Sequence, residues 1–109
     1  ERLCRLHDHT CQVCGVRLET NTGGYAEAAY LQPPGPPAHG PHTLSNLLCL
    51  CPNCHVQYER GGLHIQADGT VVDAAGQVRG TLRKVRGHRL GAAHLSYRAA
   101  RSRPAEALE

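Results

Sequence analysis

Apolar and polar positions along this chain change period several times, and each change marks an element. "ERLCRLHDH" places Leu3 and Leu6 three residues apart, on one side of a short helix over residues 1–9. "CQVCG" breaks that pattern and reads as a knuckle, two thiols one tight turn apart with a glycine to relieve the bend. Residues 16–18 predict a short strand, "ETNTGG" a turn and "YAEAAYL" a second strand. "QPPGPPAHGPH" is too rich in Pro and Gly for regular structure and predicts a long loop, a feature that in a small domain often carries function. "TLSNLLCLC" resumes a strand-like apolar run. Pro52 suits the first turn of a helix through "NCHVQYER", and Gly61 and Gly62 would stop it. Asp68-Gly69 lies between β-rich runs and signals a hairpin, with a further turn near Ala75-Gly76. "HRLGAAHLSYRAAR" fits strand, helix or extended arm.

Composition makes the core thin. The chain has 109 residues, enough for one domain, with no Phe, Trp or Met and only four Tyr. Folding must offset roughly 1–2 kcal/mol of backbone entropy per residue, and chains so poor in large apolar groups commonly need a metal or a disulfide. Six cysteines are available. No signal-peptide pattern and no apolar run of spanning length occur, so the expectation is a cytoplasmic protein with reduced thiols, no membrane partner, and metal rather than disulfide. Because Glu1 opens directly on a helical pattern, the chain reads as part of a longer protein lacking an upstream domain.

Two C-x-x-C pairs separated by 36 residues are the strongest chemical signal. Each presents two thiolates from one turn, and two turns close a tetrahedron around Zn²⁺ with no position left for water. The expected structural site is Cys11, Cys14, Cys51 and Cys54, and zinc binding of this kind can contribute about 10 kcal/mol or more to a small domain. The alternatives are a disulfide framework and a redox-active pair, and neither C-x-x-C lies in a βαβ pattern. Cys49 alternates with Cys51 along its strand and reads as a small core residue. Cys4 reads the same way, with a spare ligand as the alternative.

Net charge is +3, unevenly placed. Eight of the twelve basic residues, Arg79, Arg83, Lys84, Arg86, Arg89, Arg98, Arg101 and Arg103, lie in the last 31 positions, opposed there by Glu106 and Glu109 alone. A solvated surface is the plain reading. A face that tracks nucleic-acid phosphates, with Arg83, Lys84, Arg86 and Arg89 at its centre, is the sharper one.

Asn46 and His55 in "LSNLLCLCPNCH", together with the knuckles, "YAEAAYLQP" and "YERGG", resemble the HNH endonucleases, the ββα-metal nuclease family. Within it the chain looks most like the domain attached to modification-dependent, type IV restriction enzymes. The resemblance covers about residues 11–64. It implies an α+β fold, a small zinc-stabilised ββα-metal domain carrying an additional β-hairpin and a basic C-terminal tail. The implied organisation is an N-terminal helix or linker at 1–10, the HNH core at 11–64, and the hairpin extension and tail at 65–109. Double-stranded DNA, possibly modified, becomes the expected partner, with a homodimer suited to cutting both strands.

The family's first His, its Asn and its second His correspond here to Tyr30, Asn46 and His55. Phosphodiester hydrolysis needs a nucleophilic water and a Lewis acid for the charge building on the phosphate and the departing 3′ oxygen. The resemblance makes His55 a ligand of one catalytic Mg²⁺ or Mn²⁺. Glu59, four residues on and so on the same helical face, is a second ligand or holds a metal-bound water. Asn46 would fix the loop carrying the base; a plain turn residue is its alternative. Ala29 departs from relatives that place Asp or His there, so one ligand must come from phosphate, water or Asn46. His39 and His42 flank the proline loop and are candidates for substrate or metal contact.

Tyr30 weakens the expectation of activity. An imidazole near pKa 6.5 is available as a base at working pH, whereas a phenol near 10 is almost wholly protonated. Three accounts follow: a working tyrosine, a degenerate site that binds without cutting, or an inactivating substitution. The leading expectation is a restriction-type DNA cleavage module. A zinc-dependent DNA-binding module of the same fold is the alternative, and a structural zinc domain joining protein partners is the third.

Overall fold

A computed structural model describes residues 2–101. Along the chain it has helix α1 (Arg2–Leu6), strands β1 (Leu18–Thr20), β2 (Gly23–Tyr25) and β3 (Glu27–Tyr30), and a 3₁₀ turn (Leu44–Asn46). Strand β4 (Leu47–Leu50), helix α2 (Pro52–Glu59), strands β5 (Leu63–Ile65), β6 (Thr70–Asp73) and β7 (Val78–Thr81), and helix α3 (Ala92–Arg101) follow. The fold is small and mixed α+β. No helix among the described residues is long and apolar enough to cross a membrane.

The β3–β4 hairpin is the centre of the molecule. Its strands pair antiparallel, Glu27 with Leu50 and Tyr30 with Leu47. All four residues of β4 are buried. This strand is therefore apolar on both faces, which explains its unbroken run of Leu and Cys. Leu48 and Leu50 face the main core with Ala29, Leu31, Tyr58, Leu63, Ile65, Val71 and Leu82, while Leu47 and Cys49 face a smaller cluster with Leu3 and Cys4 of α1. Cys49 is thus a core residue, with burial pushing its thiol up to about 12.

Helix α2 begins where the sequence says it must. Cys51 is extended and its Sγ accepts the Cys54 N–H at 3.4 Å, Pro52 fills the first turn, and Gly61 at φ +83° follows its end. The Asp68-Gly69 hairpin joins β5 to β6, with the Asp68 carboxylate accepting the Thr70 N–H at 2.9 Å. β7 completes the three-stranded sheet in the order β5-β6-β7.

Two local expectations change. Val16 and Arg17 are not strand, because the Val16 carbonyl closes the first knuckle by accepting the Cys11 N–H at 2.9 Å. The strand starts at Leu18 and pairs with β2 across a turn closed by Thr20, whose hydroxyl donates to the Gly23 carbonyl at 2.7 Å. "YAEAAYL" is consequently two strands divided at Ala26, the first in the β1–β2 pair and the second in the central hairpin. The basic segment forms an irregular strap through residues 82–91 and then α3; Arg103, Glu106 and Glu109 lie outside the described residues.

Candidate functional site

Both knuckles meet at the N-terminus of α2. The Sγ atoms of Cys11, Cys14, Cys51 and Cys54 all lie within 4.8 Å of one another, and Cys14 and Cys51 approach to 3.7 Å. Three of the four residues are buried. Backbone N–H groups point at the sulfurs, Val13 to Cys11 at 3.4 Å and Cys54 to Cys51 at 3.4 Å. Burial and then the neighbouring thiols push Cys54 well above the ordinary thiol value. Four sulfurs so close together hold charge only with a cation among them, and four soft donors with no fifth group fit zinc. Cys4 and Cys49 lie outside this set.

One turn into α2, His55 is bracketed by two carboxylates. Its Nδ1 lies 2.8 Å from Glu27 Oε1 and its Nε2 3.5 Å from Glu59 Oε2. A carboxylate only accepts, so in the neutral ring Nδ1 carries the hydrogen and Nε2 offers its lone pair beside Glu59. Tyr25 also donates to Glu27, at 2.6 Å, and the hydrogen bonds from Tyr25 and His55 hold that carboxyl below the usual range. One imidazole nitrogen and one carboxylate oxygen are two donors that could hold a divalent cation, the remaining ligands having to come from water or phosphate oxygens. Glu27 escaped sequence reasoning. Its signal was strand alternation: two residues before Ala29, it shares that residue's face toward the helix.

Tyr30, at the end of β3, leaves the sheet on the other face, where its ring packs with the α1 cluster. Its hydroxyl lies 2.9 Å from His42 Nδ1, with ring centroids 5.9 Å apart. Its carbonyl accepts the Tyr58 hydroxyl at 2.7 Å, tying the strand end to α2. Asn46, fully buried, spans the two feet of the proline loop. Its Oδ1 accepts the Gln32 N–H at 2.9 Å, and its Nδ2 donates to the Gln32 and Pro41 carbonyls, each at 2.8 Å. The loop closes so tightly that a Cβ at Gly40 would meet the Gln32 carbonyl oxygen at 1.7 Å. His39 has no comparable link to Tyr30.

The basic residues divide. Arg83, Lys84, Arg86 and Arg89 are exposed on the strap, as is Arg79 on β7. Arg98 and Arg101 instead lie over aromatic rings, Arg98 at 4.0 Å from the Tyr58 ring centroid and Arg101 at 3.9 Å from that of Tyr97. The unbroken basic face that charge alone suggested is therefore interrupted at α3, because a guanidinium packs well against an aromatic face.

The HNH endonuclease family model matches residues 11–66, just over half of the chain. A solved structure described as a "Modification dependent TagI restriction endonuclease" is similar at 40% identity with a TM-score of 0.87, over 92% of this chain and 35% of that one. This chain thus spans about a third of that protein's length. No curated protein matches. Knuckles, central hairpin and helix match that family in sequence and in space: the chain belongs to the HNH endonucleases, with a domain like those of modification-dependent restriction enzymes.

Proposed function

We propose that this chain is the cleavage module of a restriction enzyme acting on modified double-stranded DNA, hydrolysing phosphodiester bonds beside His55. The bracketed His55 supports this reading: Glu27 holds Nδ1 at 2.8 Å, which leaves Nε2 beside Glu59, where the two would jointly face a cation. Held by those two groups, Mg²⁺ or Mn²⁺ would act as a Lewis acid on the phosphate and the departing 3′ oxygen. Cys11, Cys14, Cys51 and Cys54 would hold a structural zinc. Asn46 keeps the loop at a fixed distance from Tyr30, the residue at the water-activating corner.

Residues 1–10 and 65–109 flank the 11–64 core in this reading, the strap offering Arg83, Lys84, Arg86 and Arg89 to backbone phosphates. Selection of modified sites would belong to an upstream domain, two chains acting together would cut both strands, and the enzyme would work in the cytoplasm. Tyr30 favours one competing reading, an HNH-fold module that binds DNA without cutting.

Plasmid DNA, modified and unmodified, incubated with the protein and Mn²⁺ or Mg²⁺ separates the two. Metal-dependent nicking that disappears in His55→Ala supports cleavage. Salt-sensitive binding with no nicking by the native chain or by Tyr30→His supports the binding module.

A further inference from the structure

We propose that His42 is the proton acceptor behind Tyr30: the phenol gives its own proton to His42 Nδ1 as it takes one from the attacking water, and so gains none overall. This rests on the nuclease reading above. A phenol alone is a poor base near neutral pH, whereas a neutral imidazole nitrogen readily accepts a proton, so the pair can do what the phenol alone does badly.

The geometry fits a relay. Tyr30 Oη and His42 Nδ1 are 2.9 Å apart, a direct hydrogen bond. Neither partner is placed by chance. Tyr30 closes β3, held by pairing with Leu47 and by the Tyr58 hydroxyl on its carbonyl. His42 follows Pro41, whose carbonyl is bound by the buried Asn46 that also grips Gln32, two residues after Tyr30. Inside the loop, His39 N–H to Gly35 O at 2.7 Å, Gly40 N–H to Pro33 O at 2.8 Å and Gln32 Nε2 to Ala38 O at 2.8 Å fix the path between the feet. One buried side chain thus sets the distance from phenol to imidazole.

The relay requires one phosphate to reach both halves of the site. Among the described residues β3 pairs with β4 alone, which leaves its other edge without a strand partner there. Tyr30 leaves β3 on the face of the α1 cluster, and Glu27, which holds His55, on the opposite face. A phosphate along the edge would have its water on one side and its electrostatic stabilisation on the other. In the step itself, a water O–H bond breaks as the oxygen bonds to phosphorus. The water proton goes to Tyr30 Oη while the phenol's own proton moves to His42 Nδ1. The bond from phosphorus to the 3′ oxygen breaks with its electron pair, and solvent protonates the leaving oxygen.

The test is a cleavage assay of the 109-residue chain on plasmid with Mn²⁺, comparing native protein, His42→Asn, Tyr30→Phe, Tyr30→His and the double variant Tyr30→His/His42→Asn, with folding followed by circular dichroism. Asparagine can accept the phenol hydrogen bond but cannot take a proton. The expected result is a fall in kcat of at least ~100-fold for His42→Asn and for Tyr30→Phe, with KM for DNA changed less than about 3-fold. Imidazole in the buffer should restore part of the His42→Asn loss. The double variant should cut within about 10-fold of Tyr30→His, because a base at position 30 makes His42 dispensable. Native-like cutting by His42→Asn overturns the proposal, as does an equal loss in both backgrounds. Cutting only by the Tyr30→His proteins overturns it while leaving the nuclease reading standing. No cutting by any of the five proteins overturns the nuclease reading, and the relay with it.

Discussion

Replacing Glu27 by alanine leaves His55 without its Nδ1 partner, and the ring is then free to turn its lone pair away from Glu59. Partners of this kind are typically worth 10–100-fold in metal affinity or activity. Glu27→Ala should therefore raise the Mn²⁺ concentration needed for half-maximal cleavage by about that factor, with Glu27→Gln, which keeps an accepting oxygen, falling between. Titration of cleavage against Mn²⁺ reads this directly. An unchanged metal requirement would remove Glu27 from the site. The same scale separates residues that look alike in sequence: Arg98 is committed to Tyr58, whereas Arg83 and Lys84 remain exposed.

Beside the apolar core, single buried polar side chains join elements that lie far apart in the chain. Gln12, inside the first knuckle, accepts the Cys49 N–H at 2.9 Å and donates to the Arg83 carbonyl at 2.9 Å, linking knuckle, β4 and strap. His7 of the turn after α1 lies 2.7 Å from His88 Nδ1, and His88 Nε2 donates to the Leu44 carbonyl at 2.8 Å. Burial first, then His88 and Arg83, lowers His7 from 6.5 to about 4. The sign follows. The unfolded chain takes up this proton below about 6.5 and the folded chain only near 4, so stability is full above 6.5 and falls as pH drops toward 4. The drop attributable to His7 should be on the order of 2–3 kcal/mol. Urea unfolding at pH 7.5 and 4.5, native against His7→Gln, isolates it as the difference between the two proteins.

At the scale of the molecule, the thin core and the cysteine cluster are one matter. The buried Leu, Val and Ile side chains gather beside α2, whose first turn is the second knuckle. Zinc removal by a strong chelator at neutral pH should thus unfold the chain rather than merely silence it, with the cooperative thermal transition lost and regained when one equivalent of Zn²⁺ is returned. Retention of that transition in metal-free protein would refute the structural role. Charge belongs to this scale too. Reversing Lys84 and Arg86 to Glu should weaken DNA binding across sequences and reduce the slope of log affinity against log salt by about one unit or more per lost phosphate contact. Arg98→Ala should lower stability with little change in that slope.

How much was legible depended on whether the signal was local. The two C-x-x-C pairs, Pro52 opening a helix, Gly61 closing it and Asp68-Gly69 turning a hairpin each act within a few residues, so sequence alone determined knuckles, helix and hairpin. The apolar run of β4 announced a buried strand for the same reason. Tertiary structure decided what lies far apart in the chain. Val16 became the closure of a knuckle rather than a strand residue, and Glu27 met His55 28 residues away. His42 reached Tyr30 because Asn46 grips both feet of an intervening loop. A hydrogen bond across such separations depends on where two backbones cross, which no local period encodes. The sequence therefore determined that four cysteines fit to hold a metal sit where the helix carrying His55 begins. Only the fold decided which carboxylate orients the histidine, and which histidine stands behind the tyrosine.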